Sequence, residues 1–557
     1  MDFTESYLSR CSNVGLACRV GDCESLRRLL EGGAPADVRD NRGWYPVHEA
    51  AYGLHADCIN LLIRHASIDV NLRAHDGSPA LLLICQSSSR FPAVVEAATA
   101  LLDAGADPNL GSLDEMPPLI AAIKVRNSLL VELLLARGAD PKITWYNGWT
   151  ALHEAAAVGD DATVATLIAM NVDLFAIDDD HLTALYVACQ EGRTLCVQLM
   201  LKAAGDRAAE LANMTSTDGG SCVYVAAQDG YDKCIELLVA IGADVNLTVS
   251  PVWAGPNDCQ DGGVHVVATA SQKNFHRCLR LIMPHVDLDI LARSELDPLA
   301  VAAAAGSSES IEILLEGGLP VDRRTFAPTN LLIISFLRPI FQRPYYSALR
   351  EAVRKGQEEP ALLLMDAGAP LTYASDCYSP FLFTFRNRIP VGILRAFLER
   401  NVDLNLICQG SRCQVPDALL AVLGSENRHQ LVTLLKCGLK PNLQYWCSCR
   451  NTGGYSLLHE VKNLDYVGEC SDLMAVLVEF WSSSCYIPRC CTEMSEVLSG
   501  KFKHLDGIRS LQELCRLRIR ENVRPSELLD DRWMESIDCL PPKLRQFLCY
   551  HTYVGVL

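Results

Sequence analysis

The sequence has few positive charges for its length of 557 residues and no long apolar run. Lys and Arg number 49 against 67 Asp and Glu, which gives a formal net charge of −18. Nucleic-acid-binding proteins need a concentrated basic surface, so this balance works against nucleic acid as the main partner. No stretch reaches the roughly 18 uncharged apolar residues that a membrane-spanning helix requires, so we expect no membrane association.

The first residues, "MDFTESYLSRCSNVG", lack the basic start and apolar stretch of a secretory signal. The 24 cysteines are therefore expected to be free thiols in a reducing compartment rather than a disulfide framework. Cys58, Cys196, Cys234 and Cys278 fall at helix core positions, where a thiol acts as a small apolar side chain. We expect a cytoplasmic protein, with the nucleus as an alternative.

Motifs for catalysis and metal binding are missing. The sequence has no G-x-S-x-G, no P-loop and no dinucleotide fingerprint. "HEAA" occurs at residues 48 and 153, but a zinc-protease helix needs a second His four positions on, where Tyr52 and Ala157 stand. "YWCSCR" (445–450) lacks paired C-x2-C spacing, and "IDDDH" (177–181) has the composition of a solvated turn. We predict no enzyme, no metal site and no cofactor.

The chain repeats itself with a period of about 33 residues. "GWTALHEAAAVGDDATVATLIAMNVDL" (148–174) aligns with "GWYPVHEAAYGLHADCINLLI" (43–63), and the aspartates of "AGADPN", "RGADP" and "NVDL" (Asp107, Asp140 and Asp173) are 33 residues apart. This period and the T-P-L-H-x-A-like opening resemble the ankyrin repeat. We therefore predict an all-α repeat solenoid of stacked helix pairs.

The residues at each position fit such a unit. Small residues of "HEAA" let the first helix approach the next unit, and the His is expected to hydrogen-bond a neighbouring loop backbone. A mid-unit glycine supplies the left-handed residue that ends this helix, as at Gly159, Gly192 and Gly230. The second helix carries a Leu-Leu pair, as at 134–135 and 237–238, and "GAD" leads into the hairpin loop. No unit buries its apolar face alone, so the units must stack.

About twelve units are predicted between residues 10 and 442, followed by a small C-terminal domain. Three spacers exceed the period: residues 206–217, 247–262 and 323–346, the last of which either bends the array or splits it into two stacks. The domain boundaries are 1–322 for the well-matched array, 323–442 for degenerate repeats, 443–507 for a connecting helical segment and 508–553 for the C-terminal domain.

The C-terminal domain begins with an amphipathic basic helix, "SLQELCRLRIR" (510–520). Its apolar stripe contains Leu511, Leu514, Cys515 and Ile519, the i, i+3, i+4, i+8 spacing of a helix that docks in a groove. With the array before it, the chain resembles the ankyrin-repeat and SOCS-box family, in which this segment is a three-helix SOCS box. The resemblance implies that Leu511, Leu514, Cys515 and Ile519, flanked by Arg516 and Arg520, bind Elongin C, which pairs with Elongin B. The alternative is that this stripe only caps the last repeat.

A second segment, "CLPPKLRQFLCY" (539–550), matches the family in part. Family members usually carry a Leu-Pro-aliphatic-Pro run that recruits the cullin-5 scaffold and its RING partner. Leu540 and Pro541 are kept here, whereas Asp538 and Cys539 replace the first Leu-Pro. The resemblance therefore implies Elongin binding more strongly than cullin-5 binding.

One asparagine is a candidate for modification. "LLVAIGADVN" places Leu238 eight residues before Asn246, with Asp244 and Val245 directly preceding it. Several ankyrin proteins with this arrangement are hydroxylated by the asparaginyl hydroxylase that also modifies hypoxia-inducible factor. The alternative is that Asn246 only satisfies turn backbone.

Two functions follow as hypotheses. The first is a non-catalytic substrate receptor of an Elongin B/C–cullin-5 RING ubiquitin ligase, whose concave face of hairpin tips and first helices holds an unknown protein target. The second is an ankyrin scaffold without ligase function, whose C-terminal helices cap the stack.

Overall fold

The computed structural model describes residues 12–405 apart from residues 67, 89–91, 115, 250–262, 295, 324, 327–344, 373–378 and 386–388, together with residues 434, 437 and 439. The described residues up to Ala270, with Arg277–Ser294, form one compact unit. Ser271–His276 and the described residues beyond 295 form a second one. None of the helices described combines the length and hydropathy needed to cross a membrane.

Short helices in consecutive pairs make up nearly all of this part of the chain. The α-helices are α1 Asn13–Val20, α2 Cys23–Glu31, α3 Pro46–Tyr52, α4 Ala56–Ala66, α5 Ala80–Cys85, α6 Pro92–Asp103, α7 Pro118–Lys124, α8 Ser128–Ala136, α9 Ala151–Val158, α10 Asp161–Ala169, α11 Ala184–Gln190, α12 Thr194–Ala204, α13 Ala208–Ala212, α14 Cys222–Asp229, α15 Asp232–Ala240, α16 Val266–Gln272, α17 His276–Ile282, α18 Leu288–Arg293, α19 Pro298–Ala305, α20 Ser308–Glu316, α21 Ala348–Lys355, α22 Glu358–Asp366 and α23 Val391–Glu399. Short 3-10 helices cover Tyr146–Gly148, Gly205–Arg207, Met283–His285 and Pro380–Phe385. The strands are β1 Thr248–Val249, β2 Val264–His265, β3 Thr325–Phe326 and β4 Tyr345–Tyr346.

Local signals in the sequence set the helix ends. The hydroxyl of Thr150 accepts the backbone N–H of His153 and so caps α9, which satisfies one donor of the first turn. α9 ends at Gly159, whose φ of +74° is left-handed. A side chain there is disfavoured by the backbone and would also collide with the Arg193 side chain. Gly192 and Gly230 are left-handed too, as predicted.

The first helix of each pair packs against the first helix of the next pair, and second helices pack in the same way. In the first compact unit α1, α3, α5, α7, α9, α11 and α14 pack in succession, and so do α2, α4, α6, α8, α10, α12 and α15. Alanines such as Ala50 and Ala155 are fully buried between the first helices, where their small size permits close approach. Second helices add larger side chains, among them Leu134 and Leu238. This order confirms the predicted all-α repeat solenoid.

The four cysteines predicted at core positions, Cys58, Cys196, Cys234 and Cys278, are all buried and free. Burial raises the pKa of the Cys196 and Cys278 thiols to about 11, so both are protonated at neutral pH. A protonated buried thiol is a poor nucleophile, which fits a packing role.

Two of the three long spacers are insertions within a hairpin. β1 pairs with β2 around residues 250–263, and β3 pairs with β4 around residues 327–344. Within the second compact unit α19 packs on α21 and α20 on α22, so the helix pairs on either side of 323–346 remain stacked. The third spacer, 206–217, contains α13.

The described residues contain eleven successive helix pairs, the last formed by the 3-10 helix Pro380–Phe385 and α23. Of the predicted twelfth unit only residues 434, 437 and 439 are described, and the segment 443–507 and the domain at 508–553 lie outside the described residues. The division at 322 and the later boundaries therefore stay predictions.

Candidate functional site

The predicted docking residues of the C-terminal domain are not among the residues that the structure describes. These are Leu511, Leu514, Cys515 and Ile519 for Elongin C, and Leu540 and Pro541 for cullin-5. Asn246 is the one predicted site residue that the structure places. The candidate surface in the described part of the chain is therefore the row of hairpin tips in the first compact unit.

Six hairpin tips follow one another along this unit and are joined by hydrogen bonds; we call this row the tip edge. The first tip is linked to the second by the His75 N–H, which donates to the Arg42 carbonyl oxygen at 3.1 Å. The other main-chain links are Leu113 N to Asp76 O at 2.9 Å, Asp179 N to Asn147 O at 2.9 Å, and Thr217 N to Asp180 O at 3.1 Å. The six tips lie at residues 40–44, 73–79, 111–114, 144–150, 177–183 and 216–220.

The link between the third and fourth tips uses a side chain. The indole Nε1–H of Trp145 donates to the Asp114 carbonyl oxygen at 3.0 Å. Asn147 and Gly148 both have positive φ values, 58° and 78°, and turn the chain tightly at the fourth tip. A Cβ on Gly148 would lie 3.3 Å from the Asp178 Cα, so adjacent tips are closely packed. The tip edge is therefore an ordered surface rather than a set of independent loops.

Buried histidines support two of these tips from the first helices. The Nδ1 of His153 accepts the Thr150 N–H at 3.2 Å, so its proton is on Nε2, which donates to the Leu182 carbonyl oxygen at 2.9 Å. His48 makes the same pair of bonds to Tyr45 N and Ser78 O, at 3.3 and 3.1 Å. Burial lowers the pKa of both imidazoles, which favours the neutral form, and the hydrogen bonds select this tautomer. These bonds confirm the predicted role of the repeat histidines.

Charges at the first tip are paired within the protein. The Glu49 carboxylate is buried and receives both the Arg19 and the Arg42 guanidinium groups. Arg42 also pairs with Asp40 at 2.7 Å and stacks on the Trp44 ring, with its guanidinium carbon 4.1 Å from the ring centroid. Removing one member of such a network leaves an uncompensated buried charge. These arginines therefore stabilise the fold of the first two units.

Asp178 corrects the prediction that the acidic run 177–181 is a solvated turn. Its side chain is buried, and its Oδ1 accepts the backbone N–H groups of Asp180 at 3.0 Å and Leu182 at 2.7 Å. Asp179 and Asp180 are exposed, as expected for a turn. The first carboxylate of the run thus shapes the fifth tip, and the other two face solvent.

In the segments that lead into the hairpins, asparagine side chains connect successive turns; we call this set the asparagine ladder. The Nδ2 of Asn246 donates to His285 O at 3.3 Å, and its Oδ1 accepts the Asp287 N–H at 2.7 Å. Its own N–H donates to the Asp244 carboxylate at 2.9 Å. Asn246 thus forms hydrogen bonds with turn backbone. Two of its three bonds go to the backbone of the next unit, and one closes its own turn.

The same bonds recur at other units, which the sequence analysis missed. Asn71 bonds Gly105 O and Asp107 N, Asn109 bonds Gly138 O and Asp140 N, and Asn213 accepts the Asp244 N–H. The recurrence of Asp-x-Asn at 69–71, 107–109 and 244–246 is the signal that could have revealed this ladder. Lys142 and Phe175 stand at the equivalent positions of the two units in between.

Among the described residues, no group of three or more His, Cys, Asp or Glu side chains is arranged to hold a metal ion. The ordered features of this part of the chain are surfaces and inter-unit contacts, which are suited to binding another macromolecule.

Comparison with known proteins agrees with this architecture. Residues 14–112, 90–178 and 157–249 each match the family model for ankyrin repeats. The chain is 35% identical to ankyrin repeat and SOCS box protein 3 of Bos taurus over 193 residues, which is 34% of this chain and 36% of that protein. Identity to the Homo sapiens protein of the same name is also 35%, over 196 residues, or 35% of this chain and 37% of that protein.

A longer match, over 312 residues, is to ankyrin repeat and SOCS box protein 14 of Mus musculus. It is 26% identical and covers 52% of this chain and 49% of that protein. The chain thus matches a third to a half of the length of these relatives. The stacked helix pairs and these matches together identify the chain as an ankyrin-repeat protein related to the ankyrin repeat and SOCS box family.

Proposed function

We propose that the protein is the substrate-recognition subunit of an Elongin B/C–cullin-5 RING ubiquitin ligase. One observation carries the proposal: the chain combines a repeat array with the docking pattern at 511–520. The relatives that the array matches are named for a SOCS box. The array holds the protein target, and the domain at 508–553 binds Elongin C. Catalysis then belongs to the partners, and this chain contributes by bringing the target near to them.

The docking helix is the part of the proposal that decides its class. Leu511 would fill an apolar pocket of Elongin C, and Cys515 would sit where a larger side chain does not fit. An ankyrin scaffold without ligase function remains the alternative, in which the same stripe packs on the last repeat. The two functions differ in one measurable property, which is capture of Elongin C.

The test is co-purification of Elongins B and C with the full-length chain and with Leu511→Asp and Cys515→Phe. Loss of a central buried anchor costs about 2 to 4 kcal/mol, so capture should weaken roughly 30- to 1,000-fold in both variants. Arg516→Lys keeps the charge next to the stripe and should bind like the unaltered chain.

Folding of the array is followed by circular dichroism, so that a misfolded variant is not read as a loss of docking. If Leu511→Asp captures Elongin C at the yield of the unaltered chain, the docking assignment is wrong and the scaffold function is favoured.

A further inference from the structure

We propose that the third to sixth tips of the tip edge bind an extended segment of a partner protein that is rich in Lys and Arg and carries one apolar or aromatic side chain. The inference deepens the proposed function, because the segment would belong to the target that the array holds. It concerns the chemistry of that target and is independent of Elongin binding.

Two apolar side chains project from neighbouring tips. Leu113 on the third tip is 68% exposed, and Tyr146 on the fourth is 72% exposed. A large side chain at this exposure contributes little to folding, whereas aromatic residues are frequent anchors in protein interfaces. Trp145, next to Tyr146 in the sequence, is half-buried and held by its bond to Asp114 O on the third tip. The third and fourth tips thus present an apolar surface on a rigid support.

Exposed carboxylates lie on the same row of tips. Asp114, Asp179, Asp180 and Asp218 are all exposed on the third, fifth and sixth tips. Within the described residues, the carboxylates of Asp114, Asp179 and Asp180 have neither a hydrogen-bond donor nor an ion-pair partner. The Asp218 carboxylate accepts the Ser216 hydroxyl. Like charges brought together by folding repel one another, so an arrangement of this kind is relieved when a cationic partner binds.

Among the residues that the structure describes, no Lys or Arg forms an ion pair with these carboxylates. The sequence of the four tips, at 111–114, 144–150, 177–183 and 216–220, contains no Lys or Arg. Arg42 on the first tip is held by Asp40 and Glu49. Lys124, at the end of α7, lies over the Trp145 ring with its Nζ 5.5 Å from the centroid. The third to sixth tips therefore combine an apolar anchor with unpaired negative charge.

The links between the tips favour an extended occupant. Hydrogen bonds fix each tip to the next, so the anchor and the carboxylates keep their spacing before a partner arrives. A surface that is already ordered loses little conformational entropy on binding. An extended chain presents alternate side chains to one side, which lets a single segment contact several successive tips. A flexible basic segment with one apolar residue meets these conditions.

The test is selection of random twelve-residue peptides, displayed on phage, on the immobilised full-length chain. Enriched peptides should combine Lys or Arg with an aromatic or aliphatic residue. A fluorescein-labelled peptide of the enriched sequence should bind Tyr146→Ala roughly tenfold more weakly. It should bind the double variant Asp179→Asn, Asp180→Asn roughly five- to tenfold more weakly at low salt, and the difference should shrink as salt rises.

The matched control also removes two negative charges, but from the second helices of two pairs rather than from the tips. Glu96 on α6 and Glu132 on α8 are exposed, so Glu96→Gln with Glu132→Gln should leave peptide binding unchanged. Enrichment of neutral or acidic peptides, no enrichment, or an equal loss in the control variant would overturn the proposal. So would self-association of the chain that disappears in Tyr146→Ala, because the occupant is then a second copy.

Failure of this experiment leaves Elongin capture untouched, and failure of Elongin capture leaves peptide binding untouched. The two proposals can therefore be rejected separately.

Discussion

At the scale of single residues, His265 differs from the two histidines that support the tips. Its Nδ1 accepts the Val267 N–H at 3.2 Å, but its Nε2 has no hydrogen-bond partner among the described residues. The ring is fully buried, and burial lowers its pKa to about 4. A proton on Nδ1 would face the Val267 N–H, so two hydrogen-bond donors would point at each other. His265 is therefore neutral in the folded protein.

This neutrality predicts a loss of stability in mild acid. Above about pH 7 the ring is neutral in both states and contributes no pH dependence. As the pH falls below 6.5 the unfolded chain takes up a proton that the folded protein does not, until the pH reaches the folded pKa of about 4. Between pH 7.5 and 5.5 the free energy of unfolding should fall by about 1 kcal/mol through this residue.

The measurement is the urea midpoint at these two pH values for His265→Asn, whose amide oxygen can replace Nδ1 as acceptor. The variant should lose less stability than the unaltered chain. His181→Asn is the matched control, because His181 is exposed and its φ of 60° is tolerated by Asn. An unchanged pH dependence in His265→Asn would contradict this account.

At the scale of elements, the asparagine ladder predicts a difference between two equivalent turns. Asn109 bonds the next unit through both Gly138 O and Asp140 N, whereas Lys142 stands at the matching position one unit later. Asn109→Ala removes both hydrogen bonds at an exposed turn, where water can take the place of the lost partner, so we expect a cost of about 0.5 to 1.5 kcal/mol. Lys142→Ala should change stability by less than about 0.5 kcal/mol.

Unfolding by urea gives the overall effect, and hydrogen exchange at the Asp140 amide locates it. Faster exchange of that amide in Asn109→Ala, with no change in Lys142→Ala, is the expected result. Equal destabilisation by the two substitutions would show that the ladder adds no stability.

The ladder also sharpens the prediction that Asn246 is hydroxylated. An enzyme that needs an extended substrate must break its bonds to His285, Asp287 and Asp244, so modification should be slow. Asn109 serves as an internal comparison. It follows Pro108, whereas Asn246 follows Val245, so Asn109 should be modified less. After co-expression with the hydroxylase, mass spectrometry should find a gain of about 16 Da at Asn246, the mass of one oxygen atom added by hydroxylation.

An inactive hydroxylase serves as the control in that experiment. Absence of the modified peptide, while a known ankyrin substrate in the same cells is modified, would reject the site.

What could be predicted from the sequence follows the range of the interactions. Thr150, His153 and Gly159 act within one helix or on the next hairpin, so their types and spacing were enough to predict their roles. Asn246 bonds residues some forty positions away, and the Trp145 link to Asp114 depends on how two hairpins stack. Asp178 was misread because a buried turn carboxylate and a solvated one have the same local sequence.

At the scale of the whole molecule, the partial cullin motif predicts a weak assembly. Asp538 and Cys539 replace the usual Leu-Pro before Leu540 and Pro541. A charged residue in an apolar contact loses solvation without compensation, so the chain should bind cullin-5 more weakly than a relative with the full motif. The double substitution Asp538→Leu, Cys539→Pro should tighten binding roughly tenfold by restoring apolar contact.

Cullin-5 affinity is measured by calorimetry on the complex with Elongins B and C, which also controls for folding of the domain. Affinity that does not change in the double variant would show that Leu540, Pro541 and the last helix are sufficient.

The paired strands at the base of two long hairpins show where the array tolerates inserted sequence. Ordinary hairpins here are closed by residues six positions apart, such as Arg73 and Pro79, whereas Val249 pairs with Val264 and Phe326 with Tyr345. Because both strand ends stay joined, an added stretch enters and leaves at the same point, and each doubling of its length costs only about 0.6 kcal/mol in closure entropy. α19 still meets α21 across such an insertion. Hairpins are thus the places where this chain can acquire new sequence, or accept an engineered tag or binding loop, without a change in the stacking of its repeats.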